Sequence, residues 1–154
     1  MINVVLALST FEAGAEAIAS AIEFSRVKEA KLFAVFVLDS TVPTAIFDKL
    51  TDIGFIGEKP GAELESAVSA EYRRQAAATL VEVKQAADAT GVDCEVEVAE
   101  GDFVDKSLEA VARHSADTLI IVRTRKSFLS RLLTGTGMEN LIRQAPCEIK
   151  VFEA

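Results

Sequence analysis

The sequence predicts a doubly wound α/β fold, with five mostly parallel strands in one sheet and helices on both faces. Short runs rich in Val, Ile and Leu alternate with longer segments of helical periodicity along the chain. Most of the short runs are apolar throughout, which is typical of strands covered on both faces. The repeated order of strand, helix and strand implies right-handed crossovers and therefore a parallel sheet.

The first predicted elements are a strand at residues 2–8, a helix, and a second strand at residues 32–38. Ser9 and Glu12 have the spacing of a capping box, so we expect the first helix to begin at Ser9. Helical periodicity predicts an apolar face on this helix made of Phe11, Ala15, Ile18 and Ile22.

A long helix is predicted at residues 62–90, and Gly91 after its last turn is typical of a helix stop. The apolar stripe of this helix consists of Leu64, Val68, Tyr72, Ala76, Leu80, Val83 and Ala87. The third strand covers residues 94–99, where valines alternate with glutamates. This alternation predicts one face exposed to water, as at the edge of a sheet.

The last third of the chain predicts two helices and two strands. Asp102 has the side chain of a helix N-cap. The helix after it is expected to bury Val104, Leu108, Val111 and Ala112. The fourth strand covers residues 118–122, the last helix covers residues 137–144 and is stopped by Pro146, and the fifth strand covers residues 148–152.

Length and composition predict a single domain over residues 1–154, of which half are apolar. No apolar run approaches the roughly 20 residues of a membrane-spanning helix, and the N-terminus lacks signal-peptide features, so we expect a cytoplasmic protein. The net charge of −8 argues against a nucleic-acid binder. Cys94 and Cys147 lack metal-ligand spacing and are interpreted as buried reduced thiols. The single histidine, His114, is expected near a helix C-terminus, and no metal site is predicted.

Residues 122–136, between the fourth strand and the last helix, are the first candidate functional site. Sheets of this type bind ligands beyond the carboxyl ends of their strands. Gly135, Thr136 and Gly137 precede a helix, where free backbone N–H groups attract anions. They are interpreted either as a phosphate-binding turn or as a helix start in which Thr136 and Glu139 form a capping box.

The same segment is rich in cations, although the chain as a whole has an excess of acids. The cations are Arg123, Arg125, Lys126 and Arg131. Arginine binds phosphate through two parallel hydrogen bonds, so an anion site built from side chains is one interpretation. The alternative is a solvated basic loop, or one paired with acids such as Asp102.

Polar residues also follow other strands on the predicted ligand side. Ser9 is interpreted as a helix N-cap or as a hydrogen-bonding partner of a ribose. The carboxylates of Asp39 and Asp102 are suited to general acid–base catalysis or to binding Mg²⁺, but aspartates are also typical caps of turns and helices. No histidine lies near a nucleophile by any sequence pattern, so no catalytic residue is assigned and we expect no enzymatic activity.

Residues 40–61 form an irregular segment that contains prolines and glycines but also many apolar side chains. Connections of this length are usually functional or mobile. The segment is interpreted as cover for the sheet edge, as a lid over the site, or as a contact surface for a second subunit or another protein.

Four short motifs occur in a fixed order along the chain. They are Val37-Leu38-Asp39, Glu100-Gly101-Asp102, Ser130-Arg131-Leu132-Leu133-Thr134-Gly135-Thr136 and Ala145-Pro146-Cys147. In this order and spacing they resemble the universal stress protein family over nearly the whole chain. The resemblance implies a five-stranded fold with adenine-nucleotide α-hydrolase-like, flavodoxin-like layering. It also implies a homodimer formed through the last strand, residues 148–152. The resemblance further implies two family branches, one that binds ATP or AMP and another that does not.

The ATP-binding branch carries Gly-x2-Gly-x9-Gly followed by Ser or Thr. Here Val122 and Arg125 occupy the first two glycine positions, and only Gly135-Thr136 is retained. Ser9 occupies the position of the family's acidic residue at the end of the first strand. A Cβ atom restricts close backbone approach to phosphate, so these departures predict weakened or lost nucleotide binding.

The resemblance implies three functional hypotheses. The first is a non-enzymatic stress-response or regulatory protein. The second is a switch that holds ATP or AMP at Val37, Ile121, Gly135 and Thr136, with Arg123 and Arg125 near the phosphates. The third is a regulatory partner of a membrane transporter, with residues 40–61 as the partner surface.

Overall fold

A computed structural model describes residues 1–9, 14–38, 62–123 and 136–153. Strands β1 to β5 are Asn3–Leu8, Lys31–Leu38, Cys94–Glu100, Thr118–Arg123 and Glu148–Glu153. Helices α1 to α4 are Ala15–Val27, Ala62–Thr90, Phe103–Arg113 and Thr136–Gln144. Every predicted strand is therefore present, with its ends within one residue of the prediction.

The five strands form one parallel sheet in the order β3-β2-β1-β4-β5, which confirms the predicted doubly wound fold. β1 is central, because Val5 is level with Phe33 of β2 on one side and with Leu119 of β4 on the other. The chain proceeds outward from β1 to β3 and then returns to the other side of β1. The strand order reverses between β1 and β4, so a ligand crevice is expected beyond their carboxyl ends.

Helices cover both faces of the sheet, and each face has its own core. α1 and α2 pack on one face, where Leu6 and Phe36 are buried. α3 and α4 pack on the other face, where Val5 and Val35 are buried. Neighbouring residues of a strand enter opposite cores because side chains alternate across a strand.

The long helix α2 has the predicted bounds and the predicted buried stripe. The stripe residues with described side chains are all buried, and they are Tyr72, Ala76, Leu80, Val83 and Ala87. The side chains of Leu64 and Val68 lie outside the described residues. Gly91 has a φ of +81°, a left-handed conformation that favours glycine and confirms it as the helix stop.

The predicted capping box of Ser9 and Glu12 does not start α1. The helix begins at Ala15 behind Gly14, which supplies no side-chain cap. Ser9 lies five positions before Gly14, whereas an N-cap residue directly precedes the first helical residue. Ser9 instead directly follows β1, and Glu12 and Phe11 lie outside the described residues.

The buried faces of α1 and α3 are rotated from their predicted positions. Ile18 and Ile22 are buried as predicted, but Ala15 is exposed because the buried face is centred about a quarter turn away from it. In α3, Val111 is buried and Ala112 is exposed. Val104 and Leu108 are only partly buried. The residues of α3 that face the sheet are Phe103, Ser107, Ala110 and Val111.

β3 is the edge strand that its alternating pattern predicted, but its valine face is not fully covered. Val96 and Val98 are 39% and 49% exposed, respectively. The helices therefore leave part of the valine face of this edge strand open to water. Cys94 at the start of the strand is buried.

Candidate functional site

The carboxyl end of the sheet brings Ser9, Val37 and Ile121 together on neighbouring strands. Ser9 directly follows β1, Val37 is the next-to-last residue of β2, and Ile121 lies in β4 level with Ala7 of β1. Val37 and Ile121 are fully buried in the core beneath α3 and α4. A ligand at this end of the sheet would therefore contact their backbone atoms rather than their side chains.

Tyr72 of α2 connects the ends of β1 and β2. Its hydroxyl donates to the backbone carbonyl of Ser9 at 2.8 Å and lies 3.3 Å from the backbone carbonyl of Val37. The ring packs edge-to-face on Phe36, with the ring centroids 5.9 Å apart and an angle of 70° between the planes. Tyr72 and Ser9 are 3% and 4% exposed, so these hydrogen bonds are shielded from water.

Sequence reasoning placed Tyr72 in the buried stripe of its helix but assigned it no role at the site. Tyr72 lies 63 positions from Ser9 and 35 positions from Val37 in the sequence, and no local sequence pattern operates over such separations. One signal was available: Tyr72 is the only tyrosine in the chain, within a stripe otherwise made of aliphatic residues. A buried tyrosine hydroxyl usually has a hydrogen-bond partner, so a polar contact beneath α2 was to be expected.

Gly101 and Asp102 shape the chain where it leaves β3. The Gly101 N–H donates to the carbonyl of Leu38 at 3.1 Å, and its φ of +143° is rarely adopted by other residues. A Cβ on Gly101 would lie 2.7 Å from Cε of Lys106, which would have to move. The Asp102 carboxylate accepts a hydrogen bond from the N–H of Asp105 at 3.0 Å, which confirms Asp102 as the N-cap of α3.

The chain as a whole matches a known family. Its family model, described as the universal stress protein family, matches residues 1–152. The chain belongs to the universal stress protein family.

Individual relatives agree with this assignment. The chain is 25% identical over 138 residues to universal stress protein MJ0531 of Methanocaldococcus jannaschii, with 90% of this chain and 74% of the relative covered. The solved structure of protein MJ0577 superposes with a TM-score of 0.70 at 14% identity, covering 99% of this chain and 95% of that one. A universal stress protein family protein from Arabidopsis thaliana with AMP bound gives a TM-score of 0.61 at 16% identity, covering 99% and 92%. These structures share the fold of this chain.

The structure describes only some of the residues predicted to form the anion site of this universal stress protein. Arg123 is the last residue of β4, where its backbone is level with Glu153 of β5. Thr136 and Gly137 are the first residues of α4, so Thr136 lies one position inside the helix rather than before it. Arg125, Lys126, Arg131 and Gly135 lie outside the described residues, as do Asp39 and residues 40–61.

His114 belongs to a charged cluster at the opposite end of the sheet. It is the C-cap of α3, as predicted, and its backbone carbonyl accepts a hydrogen bond from the Asn3 side chain at the start of β1. Its Nε2 lies 2.8 Å from Oε1 of Glu97, and its ring stacks on Phe33 with the centroids 3.9 Å apart. Arg113 donates to the same Glu97 oxygen at 2.5 Å. A groove of about 390 Å³ opens beside this cluster.

Neither thiol has the electrostatic surroundings of a nucleophile. Burial raises the pKa of Cys94 to about 11, and burial also raises the pKa of Cys147. Both cysteines are free, and Cys94 is buried as predicted, but Cys147 is only half-buried rather than buried. Within the described ranges, no group of three or more His, Cys, Asp or Glu residues could hold a metal ion. In those same ranges, no helix is both long and apolar enough to cross a membrane.

Proposed function

We propose that this universal stress protein is a non-enzymatic regulatory protein of the cytoplasm, with a weakened site for AMP or ATP at the carboxyl ends of β1, β2 and β4. One observation carries the proposal: the backbone carbonyls of Ser9 and Val37 lie within reach of a single hydroxyl beside the point where the strand order reverses. Backbone carbonyls at this position can accept hydrogen bonds from the amino group of adenine. The AMP bound to the Arabidopsis protein supports this ligand class.

The weakness of the proposed site follows from residues that replace the family's phosphate-binding groups. Val122 occupies the first glycine position, and it is 1% exposed with its side chain in the core. A buried valine cannot bring its backbone to a phosphate as closely as glycine can. Ser9 replaces a carboxylate, which removes a partner for ribose or for Mg²⁺. The cations Arg123 and Arg125 and the first turn of α4 are the remaining candidates for phosphate contacts.

We propose that the protein lacks enzymatic activity because, in the part of the chain that the structure describes, the groups suited to catalysis are protonated, engaged by other residues or remote from the site. The only histidine of the chain, His114, contacts Glu97 at the amino end of the sheet, away from the proposed nucleotide. The Asp102 carboxylate caps α3. The raised pKa of Cys94 keeps its thiol protonated at neutral pH.

Calorimetric titration with AMP and with ATP, each with and without Mg²⁺, tests the proposal. We expect saturable binding with a dissociation constant between about 1 μM and 1 mM, equivalent to roughly −8 to −4 kcal/mol. We also expect no release of phosphate from ATP over hours. The absence of saturable heat at millimolar nucleotide would refute the proposed site, and steady ATP hydrolysis would refute the non-enzymatic role.

We further propose a homodimer formed through β5, the edge strand of the sheet opposite β3. The Glu148 N–H points toward β4, because it lies 3.4 Å from the carbonyl of Asp117. Backbone groups alternate in direction along a strand, so the N–H of Val151 points away from β4, toward the edge at which the proposed second strand would pair.

Proline substitutions in β5 test the dimer. Val151→Pro removes an outward N–H, and edge strands tolerate proline at such positions. We expect this variant to be a folded monomer by light scattering coupled to size exclusion, whereas Lys150→Pro removes an N–H that pairs with β4 and should lower the melting temperature. A Val151→Pro variant that stays dimeric would exclude β5 as the interface.

The third hypothesis, a transporter partner at residues 40–61, stays a prediction.

A further inference from the structure

We infer that Tyr72 is a built-in competitor of the nucleotide, because its hydroxyl hydrogen-bonds to the Val37 carbonyl that would receive the adenine amino group. This inference rests on the proposed adenine-nucleotide function and adds to it a residue that sets affinity for the base. It makes Tyr72 a specificity-determining residue contributed by α2, at a site whose other described residues lie on strands and in the first turn of α4.

The geometry of the hydroxyl supports an exchange of partners. A tyrosine hydroxyl has one hydrogen to donate, and here two carbonyls lie within range of it. The carbonyl of Ser9 is at 2.8 Å and that of Val37 is at 3.3 Å, so Ser9 has the stronger bond and Val37 the weaker one. The Val37 bond is therefore the one that an incoming donor can replace, while Tyr72 keeps its bond to Ser9.

The burial of this contact determines whether removal of the Tyr72 hydroxyl strengthens or weakens adenine binding. Val37 is fully buried, so its carbonyl has little access to water when it lacks a protein donor. In the empty protein the Tyr72 hydroxyl shares its single hydrogen between the two carbonyls, and adenine binding replaces the weaker half of this three-centre bond. If the hydroxyl is removed, the Val37 carbonyl loses its donor from Tyr72, and the adenine amino group can then bind this carbonyl without competition. Removal of the hydroxyl should therefore strengthen binding.

The test compares Tyr72→Phe with the wild type in calorimetric titrations of two ligands. The first ligand is AMP, and the second is purine riboside 5′-monophosphate, which is AMP without the amino group. We expect Tyr72→Phe to bind AMP about two- to tenfold more tightly, since one net hydrogen bond is involved. We expect no change for the ligand without the amino group. Phenylalanine retains the ring that packs against Phe36.

Thr90→Val is the matched control, because it also removes a bond from a hydroxyl of α2 to a backbone carbonyl. Thr90 donates to the carbonyl of Ala86 at 2.8 Å, near the far end of the helix, and it should leave both affinities unchanged. General loosening of the site would weaken binding, so a gain in affinity cannot arise from structural damage. Equal or weaker AMP binding by Tyr72→Phe, or an equal gain for both ligands, would overturn the inference while leaving the proposed function intact. No AMP binding by the wild type would overturn both.

A second measurement uses the wild type alone and does not depend on the folding of a variant. Tyr72 is the only tyrosine of the chain, so tyrosine labelled with ¹³C at Cζ gives one resonance that reports on the hydrogen bonds of its hydroxyl. We expect saturating AMP to shift this resonance. Purine riboside 5′-monophosphate should shift it much less. A resonance that responds equally to both ligands, or to neither, would contradict the exchange of partners.

Discussion

Ser107 provides a direct test of how a buried polar group limits the stability of this protein. It lies in α3, is 0% exposed, and its Oγ has no hydrogen-bond partner in the described part of the chain. A buried hydroxyl without a partner costs about 1–3 kcal/mol. Alanine also has a better helix propensity than serine, by up to about 0.5 kcal/mol. After allowance for the small void left by the oxygen, Ser107→Ala should raise the free energy of unfolding by about 1–2 kcal/mol.

Ser25 is a matched control in α1. It is also 0% exposed, but its hydroxyl donates to the carbonyl of Ala21 at 3.0 Å. Ser25→Ala loses that bond, which contributes about 0.5–1.5 kcal/mol to stability, and the better helix propensity of alanine offsets part of the loss. We therefore expect Ser25→Ala to lower the free energy of unfolding by up to about 1 kcal/mol, opposite in sign to Ser107→Ala.

Urea titration followed by circular dichroism measures both variants. With a slope near 2 kcal/mol/M, the unfolding midpoint of Ser107→Ala should rise by about 0.5–1 M. The midpoint of Ser25→Ala should stay level or fall. The reasoning is refuted if Ser107→Ala lowers the midpoint, or if the two variants shift it by the same amount. A changed slope would mean that the denatured state changed as well.

Three further predictions concern residues around the sheet ends. Gly101→Ala should destabilise the protein by about 1–3 kcal/mol because the φ of Gly101 is +143°. Gly91 has a φ of +81°, and an added Cβ would meet no atom within 4 Å, so Gly91→Ala should cost less, about 1 kcal/mol. Equal urea midpoints for the two variants would contradict this order. Asp102→Ala removes the cap of α3 and should cost about 1 kcal/mol, whereas Asp102→Asn should retain most of it in the same titration. Burial raises the pKa of Cys94 from 9.0 to about 11, so the unfolded thiol ionises first as the pH rises. The stability it contributes is full below pH 9 and is lost between about pH 9 and 11, and a Cys94→Ala variant that shows the same alkaline loss would exclude this cause.

Periodic features of the sequence were the most predictable. The bounds of α2 were predictable because its apolar residues repeat at helical spacing over its whole length, with a glycine stop at the end. The start of α1 was not, because a capping box is a four-residue pattern that occurs by chance, and Ser9 is instead held at the strand end by Tyr72. The exposed valines of β3 were misassigned because the sequence does not show how much of an edge strand the helices cover.

The candidate site was predictable where it depends on topology and hidden where it depends on long-range packing. The placement of Ser9 at the same sheet edge as the end of β2 was predictable because parallel strands end at one edge, whereas Val37 was assigned through the family resemblance. Tyr72 was missed because its contact requires the packing of α2 against two strand ends. The acidic role of Asp102 was left open because a carboxylate before a helix caps that helix whether or not it also binds a ligand.

The two ends of the sheet differ in the kind of chemistry they offer, and this difference bears on the proposed function. At the amino end, side chains interact with side chains: Glu97 contacts both His114 and Arg113, and each of these contacts depends on residue identity. At the carboxyl end, the groups that meet are the backbone carbonyls of Ser9 and Val37. Backbone groups persist through substitution, so loss of the family's glycines and carboxylate would weaken phosphate contacts without removing the acceptors available to a base. The proposed adenine contact therefore depends on whichever side chain competes for those acceptors, and Tyr72→Phe removes the competing hydroxyl together with its bond to the Ser9 carbonyl.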